Sequence, residues 1–118
     1  MKAKLKIWVP TFLLALPLIL AGVAKLSGVP AMHQSFSMMG LPEWFGYFIG
    51  AMELLAGIGL LVPKWSALAA TGMIPILAGA IYFHLVYAVP TAIPAFVFIL
   101  LALVIIMLRR KEAIWYPV

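Results

Sequence analysis

Gly46-Tyr-Phe-Ile-Gly50-Ala-Met-Glu53-Leu-Leu-Ala-Gly57 is the stretch on which the fold of this chain turns. It lies inside an apolar run from Trp44 to Val62. At ~1.5 Å per residue such a run crosses most of a bilayer's hydrocarbon core. Gly46, Gly50, Glu53 and Gly57 fall at i, i+4, i+7 and i+11, so they share one helix face. Three glycines on one face let a second helix approach closely. The fourth member of that face is a carboxylate, which is costly in hydrocarbon unless it is paired, protonated or wet. The rest of the chain must therefore supply Glu53 with a partner.

The composition is that of an integral membrane protein. Of 118 residues, 67% are hydrophobic and 9% charged, against roughly 25% charged in a soluble domain. Mean hydropathy is +1.21. The length allows one domain, residues 1–118. The net charge of +5 comes from basic residues near the ends of apolar segments. That pattern is explained by membrane orientation and calls for no nucleic-acid partner. There is no cysteine, which excludes intrinsic thiol–disulfide exchange, iron–sulfur clusters and thiolate zinc sites. Oxygen- and nitrogen-ligand metal sites stay open, with only two histidines and three carboxylates to build them.

Outward from the central stretch, four apolar spans are expected, at about residues 7–27, 44–62, 66–87 and 91–108. A basic head with Lys2, Lys4 and Lys6 precedes the first. Such a head followed by an apolar run can be a secretory signal, and Ala21-Gly-Val-Ala24 resembles a cleavage site. The apolar run exceeds the ~7–15 residues of a signal core, which favours a retained span. Pro17 is expected to kink it. Pro30 can open and Gly40 close a short helix, with Met32, Phe36 and Met39 at i, i+4 and i+7. This predicts an amphipathic helix lying in the membrane interface between spans one and two. Ser66 is a candidate cap for the third span, which contains Gly72, Pro75 and Gly79. Residues 88–94 form a tight connection, and Arg109, Arg110 and Lys111 stop the fourth span.

The fold expected is thus an all-α, four-transmembrane-helix bundle with one interfacial helix. Four spans place both termini on one side, and the lysine and arginine bias makes that side cytoplasmic. Lys25, Glu53 and His84 then fall in the outer half of the bilayer or at its midplane, with no comparable group in the inner half. Lys25 is the expected partner of Glu53. The helical rise puts them on the order of 9 Å apart in depth, wide for a direct bridge. Lys25 has a second reading, in which it snorkels to the headgroups. His84 reads either as a ligand-binding group or as the polar end of a helix. His33 reads as a solvated loop residue, and the methionines as fillers of apolar gaps. Gly22 joins Gly46, Gly50 and Gly57 as a helix-packing position.

Three pieces stand in order along the chain: Gly22-Val-Ala-Lys25-Leu, Gly40-Leu-Pro and Ile49-Gly-Ala-Met-Glu53-Leu-Leu-Ala-Gly57. Together they resemble the DoxX family of small four-helix membrane proteins, over about residues 8 to 105. The resemblance implies a four-helix bundle in a bacterial-type inner membrane, with Lys25 and Glu53 as the polar signature. It also implies a link to quinone-dependent oxidation or redox-protective complexes, in which some relatives are subunits.

Three functions follow as expectations. The first is an accessory or ligand-binding subunit whose pocket, lined by Lys25, Glu53 and His84, takes a small lipophilic ligand such as a quinone headgroup. The second is a proton-coupled transporter that uses Glu53. The third is a structural subunit in which the Glu–Lys pair fixes helix register. The bilayer is the one sure partner; a redox partner protein and a homo-oligomer are both open. An autonomous enzyme is disfavoured, since the sequence presents no nucleophile–base pair, phosphate loop or ligand cluster.

Overall fold

The computed structural model describes residues 2–87 and 93–112. Five α-helices follow one another: α1 (Lys2–Leu26), α2 (Pro30–Met38), α3 (Glu43–Leu60), α4 (Pro63–Val86) and α5 (Ile93–Arg109), with a 3-10 turn at Arg110–Glu112. No strand occurs among the described residues. The helices track the apolar runs. The connection expected at residues 88–94, and the first residues of the fourth span, lie largely outside the described residues.

Local chemistry sets the boundaries. α1 runs through Pro10 and Pro17, and beside the first of them Thr11 Oγ1 donates to the Ile7 carbonyl at 2.7 Å. Gly28 ends the helix at φ 78°, a backbone state that glycine enters without strain. There the Gly28 N–H reaches the Lys25 carbonyl at 3.1 Å and the Val29 N–H reaches the Ala24 carbonyl at 3.3 Å. Gly40, at φ 74°, ends α2 in the same way, with Gly40 N–H to Ser37 and Leu41 N–H to Phe36, both at 3.0 Å. These paired bonds occupy carbonyls that a helix end otherwise leaves unpaired. The expected cap at Ser66 is not used. α4 begins three residues earlier at Pro63, because proline's fixed φ suits the first helical position. Ser66 is buried inside the helix instead, and its hydroxyl has no partner among the described residues.

α1, α3, α4 and α5 pack in a closed ring, α1 on α3, α3 on α4, α4 on α5 and α5 on α1. α2 lies across one end, on α3 and α1. The α1–α3 contact is the most extensive, and the glycines make it so. A Cβ added to Gly22 would stand 2.7 Å from the Gly50 carbonyl and from the Leu54 amide nitrogen. One at Gly50 would stand 2.6 Å from Lys25 Cβ, and one at Gly57 would stand 2.6 Å from Ile19 Cγ1. Residue 22 thus meets 50 and 54 while residue 19 meets 57, so the two helices run antiparallel.

The core is Leu14, Ala15 and Leu18 of α1, Leu60 of α3, Ala70, Met73 and Leu77 of α4, and Ala102 and Ile105 of α5. The outside is apolar as well. Leu20 is 71% and Met107 74% exposed. α1 and α4 are both long and apolar enough to cross a membrane, yet only 28% and 33% of their most apolar windows are buried. A soluble core helix would be mostly covered, and a contiguous apolar surface of this extent is not stable in water. α5 is apolar but 17 residues long as described, and α3 has 18 residues with Glu43 and Glu53 among them. Length and composition therefore mark two membrane spans by themselves.

The glycine contact yields a stability prediction. Gly22→Ala forces backbone against backbone and should lower stability by about 1–3 kcal/mol, the usual range for overpacking. Gly72→Ala, where an added Cβ meets nothing within 4 Å, should be neutral or stabilising by up to ~1 kcal/mol through helix propensity. Denaturation in detergent or nanodiscs compares the two.

Candidate functional site

At the α2 end of the bundle Lys25 and Glu53 meet directly. Lys25 Nζ lies 2.8 Å from Glu53 Oε1, and each residue is 9% exposed. The depth gap expected from counting along each helix is about half as wide as the ~9 Å reckoned from sequence. Lys25 Cβ lies against Gly50, so its backbone stands three residues of helical rise, about 4.5 Å, from the level of Glu53. Four methylenes span that distance, and a side chain at position 50 would prevent the approach. Lys25 therefore does not snorkel outward; it turns inward.

His33, read from the sequence as a solvated loop residue, is instead part of this arrangement. The Gly28 turn folds α2 back over the end of α1. His33 Nε2 thereby comes 2.8 Å from the Lys25 carbonyl, as a second donor to it beside the Gly28 amide. Its ring packs on Tyr47 at 4.4 Å between centroids, and against Gly46, where a Cβ would collide with the imidazole. Two features carried a signal for this: the bare Gly46 face, which accepts a flat ring, and the unpaired carbonyls at a helix C-terminus. Their pairing required knowing how α2 folds back.

Beneath α2, a cavity of about 530 Å³ opens between α2, α3 and α4. Lys25, Glu53 and His84 all line it. Its walls are otherwise apolar, including Phe36, Phe45, Ile49 and Phe83, with Met32 and Met39 from α2. Glu53 Oε1 is buried and, among the described residues, meets only the Lys25 ammonium. A carboxylate offers about four acceptor positions and an ammonium three donors, so one contact leaves both groups with unused capacity. His84 Nδ1 is buried without a partner among the described residues, and its ring stands edge-on to Phe83 at 5.8 Å. The volume lies within the ~300–1,000 Å³ typical of small-molecule pockets. Chemically the site can donate two or more hydrogen bonds to an acceptor on a flat apolar ligand. Among the described residues it has no cluster able to hold a metal.

At the opposite end of the bundle a second polar side chain, Arg109, is buried as well. This residue, read as a stop signal, is 4% exposed, with its guanidinium carbon 4.9 Å from the centre of the Trp8 ring. Ala102, Ile105 and Arg109 stand at i, i+3 and i+7, on the buried face of α5. Because α5 packs on α1, that face carries Arg109 across Trp8, where the ring's electron-rich surface attracts the cation.

A family model described as the DoxX-like family matches residues 9–107 of the chain. No curated protein and no solved structure gives a significant match.

The ion pair makes a prediction of its own. Lys25→Met leaves a buried carboxylate uncompensated and should destabilise the protein by about 3–5 kcal/mol. Adding Glu53→Gln should restore most of the loss, since the neutral amide needs no counter-charge. A double-mutant cycle by thermal or denaturant unfolding gives the coupling.

Proposed function

Since the chain belongs to the DoxX-like family of membrane proteins, we propose that it is an accessory or ligand-binding subunit of membrane redox chemistry. In this reading α1, α3, α4 and α5 all span a bacterial inner membrane, and both termini lie in the cytoplasm by the bias of lysine and arginine. The cavity beneath α2 then faces the outer leaflet. Its ligand is a small lipophilic molecule of the quinone-headgroup kind. The Lys25 ammonium and the His84 imidazole donate to ring carbonyls, and Glu53 holds the ammonium in place. The protein contributes binding and proton handling, while electrons come from a redox partner protein in the same membrane. Assembly as a homo-oligomer is compatible with this role.

The observation that carries the reading is the unsatisfied polarity of an apolar cavity. Lys25, Glu53 and His84 converge there with fewer partners than their hydrogen-bonding groups can take. Buried polar groups are ordinarily satisfied, and ligand carbonyls would accept from the Lys25 ammonium and the His84 imidazole, while Glu53 keeps the ammonium as its partner. A proton-coupled transporter is the weaker reading. It needs a path to both sides, whereas Leu14, Leu60, Met73 and Ile105 are fully packed below the cavity. A purely structural role leaves the cavity and the partnerless His84 nitrogen without a purpose.

The test is thermal stability in nanodiscs across a titration with a quinone analogue. The wild type should show a saturable rise in melting temperature. Lys25→Met/Glu53→Gln, folded but lacking the pair, should need about tenfold more analogue for the same shift, a loss of ~1.4 kcal/mol. An absent shift, or an equal one in the double variant, would contradict the reading.

A further inference from the structure

We propose that the cavity is loaded sideways from the bilayer, through an opening between α2 and α4 at Gly79, so that its ligand is an amphiphile whose tail stays among the lipids. The inference rests on the reading of the cavity as a binding site and adds the route and the class of ligand. The helices that frame the cavity do not close it evenly. α2 rests on α1 and α3, while α4 rests on α3 and α5, so α2 and α4 face each other across the cavity. The α4 residues on its margin are Pro75, Gly79 and Tyr82, all three exposed on the apolar exterior as well as lining the cavity. Tyr82 is 59% exposed. Gly79 is the one of the three without a side chain, and a Cβ there would stand in open space, with nothing within 4 Å.

That emptiness is not explained by packing. The glycines at 22, 50 and 57 are filled by a neighbouring helix, whereas Gly79 has none against it. A glycine inside a helix costs up to ~1 kcal/mol relative to alanine, a cost that Gly72 and Gly79 share; what distinguishes Gly79 is that it lines the cavity that holds the polar pair. Here its missing side chain leaves a slot that joins the hydrocarbon exterior to the Lys25–Glu53 pair. Gly72 is a built-in control. It stands seven residues away on the same face of α4, is equally unfilled, and lines a separate groove between α3 and α4. A headgroup that enters at Gly79 reaches the polar pair while its chain trails into the leaflet. A water-soluble ligand gains nothing from such a slot.

Carbodiimide labelling tests the route without any assumption about quinones. Dicyclohexylcarbodiimide is uncharged and partitions into lipid; a cationic water-soluble carbodiimide does not. Protein in nanodiscs is treated with each, and mass spectrometry follows the exposed Glu43 together with Glu53, the latter scored as reacted whether it carries the carbodiimide adduct or the amide formed when Lys25 displaces the urea. Glu53 should react with the lipid-soluble reagent and not with the aqueous one, which should modify Glu43. Gly79→Leu should slow Glu53 labelling by about tenfold, Gly79→Ala by less, and Gly72→Leu not at all. Equal rates in Gly79→Leu and wild type would overturn the proposal. So would a Glu53 that the lipid-soluble reagent never reaches, or that the aqueous reagent labels first. Failure here with intact quinone-dependent stabilisation would leave the binding site standing and remove only the lateral route.

Discussion

A single buried carboxylate constrains this bundle more than any other group. Glu53 sits 9% exposed among apolar helices, and its counter-charge must arrive from another segment. Lys25 can reach it only because α1 and α3 touch backbone to backbone. That contact in turn requires glycine at 22, 50 and 57, on both sides of the interface. The polar pair and the glycine seam are thus two aspects of one device. The glycines bring the helices close enough, and the ion pair makes that register costly to leave. Dispersion over the seam supplies the attraction that the hydrophobic effect cannot supply between helices in lipid.

The two ends of the ring serve different purposes. At one end Arg109 lies over Trp8 and joins the last turn of α5 to the first turns of α1, above a core of leucine, methionine and isoleucine. At the other, α2 folds over a cavity, held by His33 against the Lys25 carbonyl. The packed core lies on one side of the Lys25–Glu53 pair and the cavity on the other, so the pair sits at the boundary between them. α2 is the thinnest part of the frame, nine residues between two glycine turns. It is held by the His33 bond to the Lys25 carbonyl and by ring contacts of His33 with Tyr47 and Phe36 with Phe45.

Much of this was legible in the sequence, and the reasons are physical. Hydrophobic runs locate helices because lipid and core demand the same residues, so α1, α3, α4 and α5 fall near the apolar segments. The spacing of Gly46, Gly50, Glu53 and Gly57 defines a face regardless of tertiary structure. Gly40 ends a helix for the same local reason in any context. Relative register was not legible. Depth counted along separate helices placed Lys25 too far from Glu53, because nothing local reveals that Lys25 stands beside Gly50. His33 and Arg109 were misread for a related reason. A polar residue just beyond or at the end of an apolar run looks solvated until the chain's return path is known. Ser66 failed as a cap because Pro63 had already opened the helix.

The central claim is that Lys25 and Glu53 form a direct pair inside the membrane domain. Dipolar recoupling between ¹⁵N at Lys25 Nζ and ¹³C at the Glu53 carboxyl, in protein reconstituted into bilayers, reads that contact without perturbing it. A strong coupling, consistent with the 2.8 Å Nζ–Oε1 separation, is the result expected. No detectable coupling in bilayers, with Lys25 Nζ coupled instead to lipid phosphate, would contradict the account.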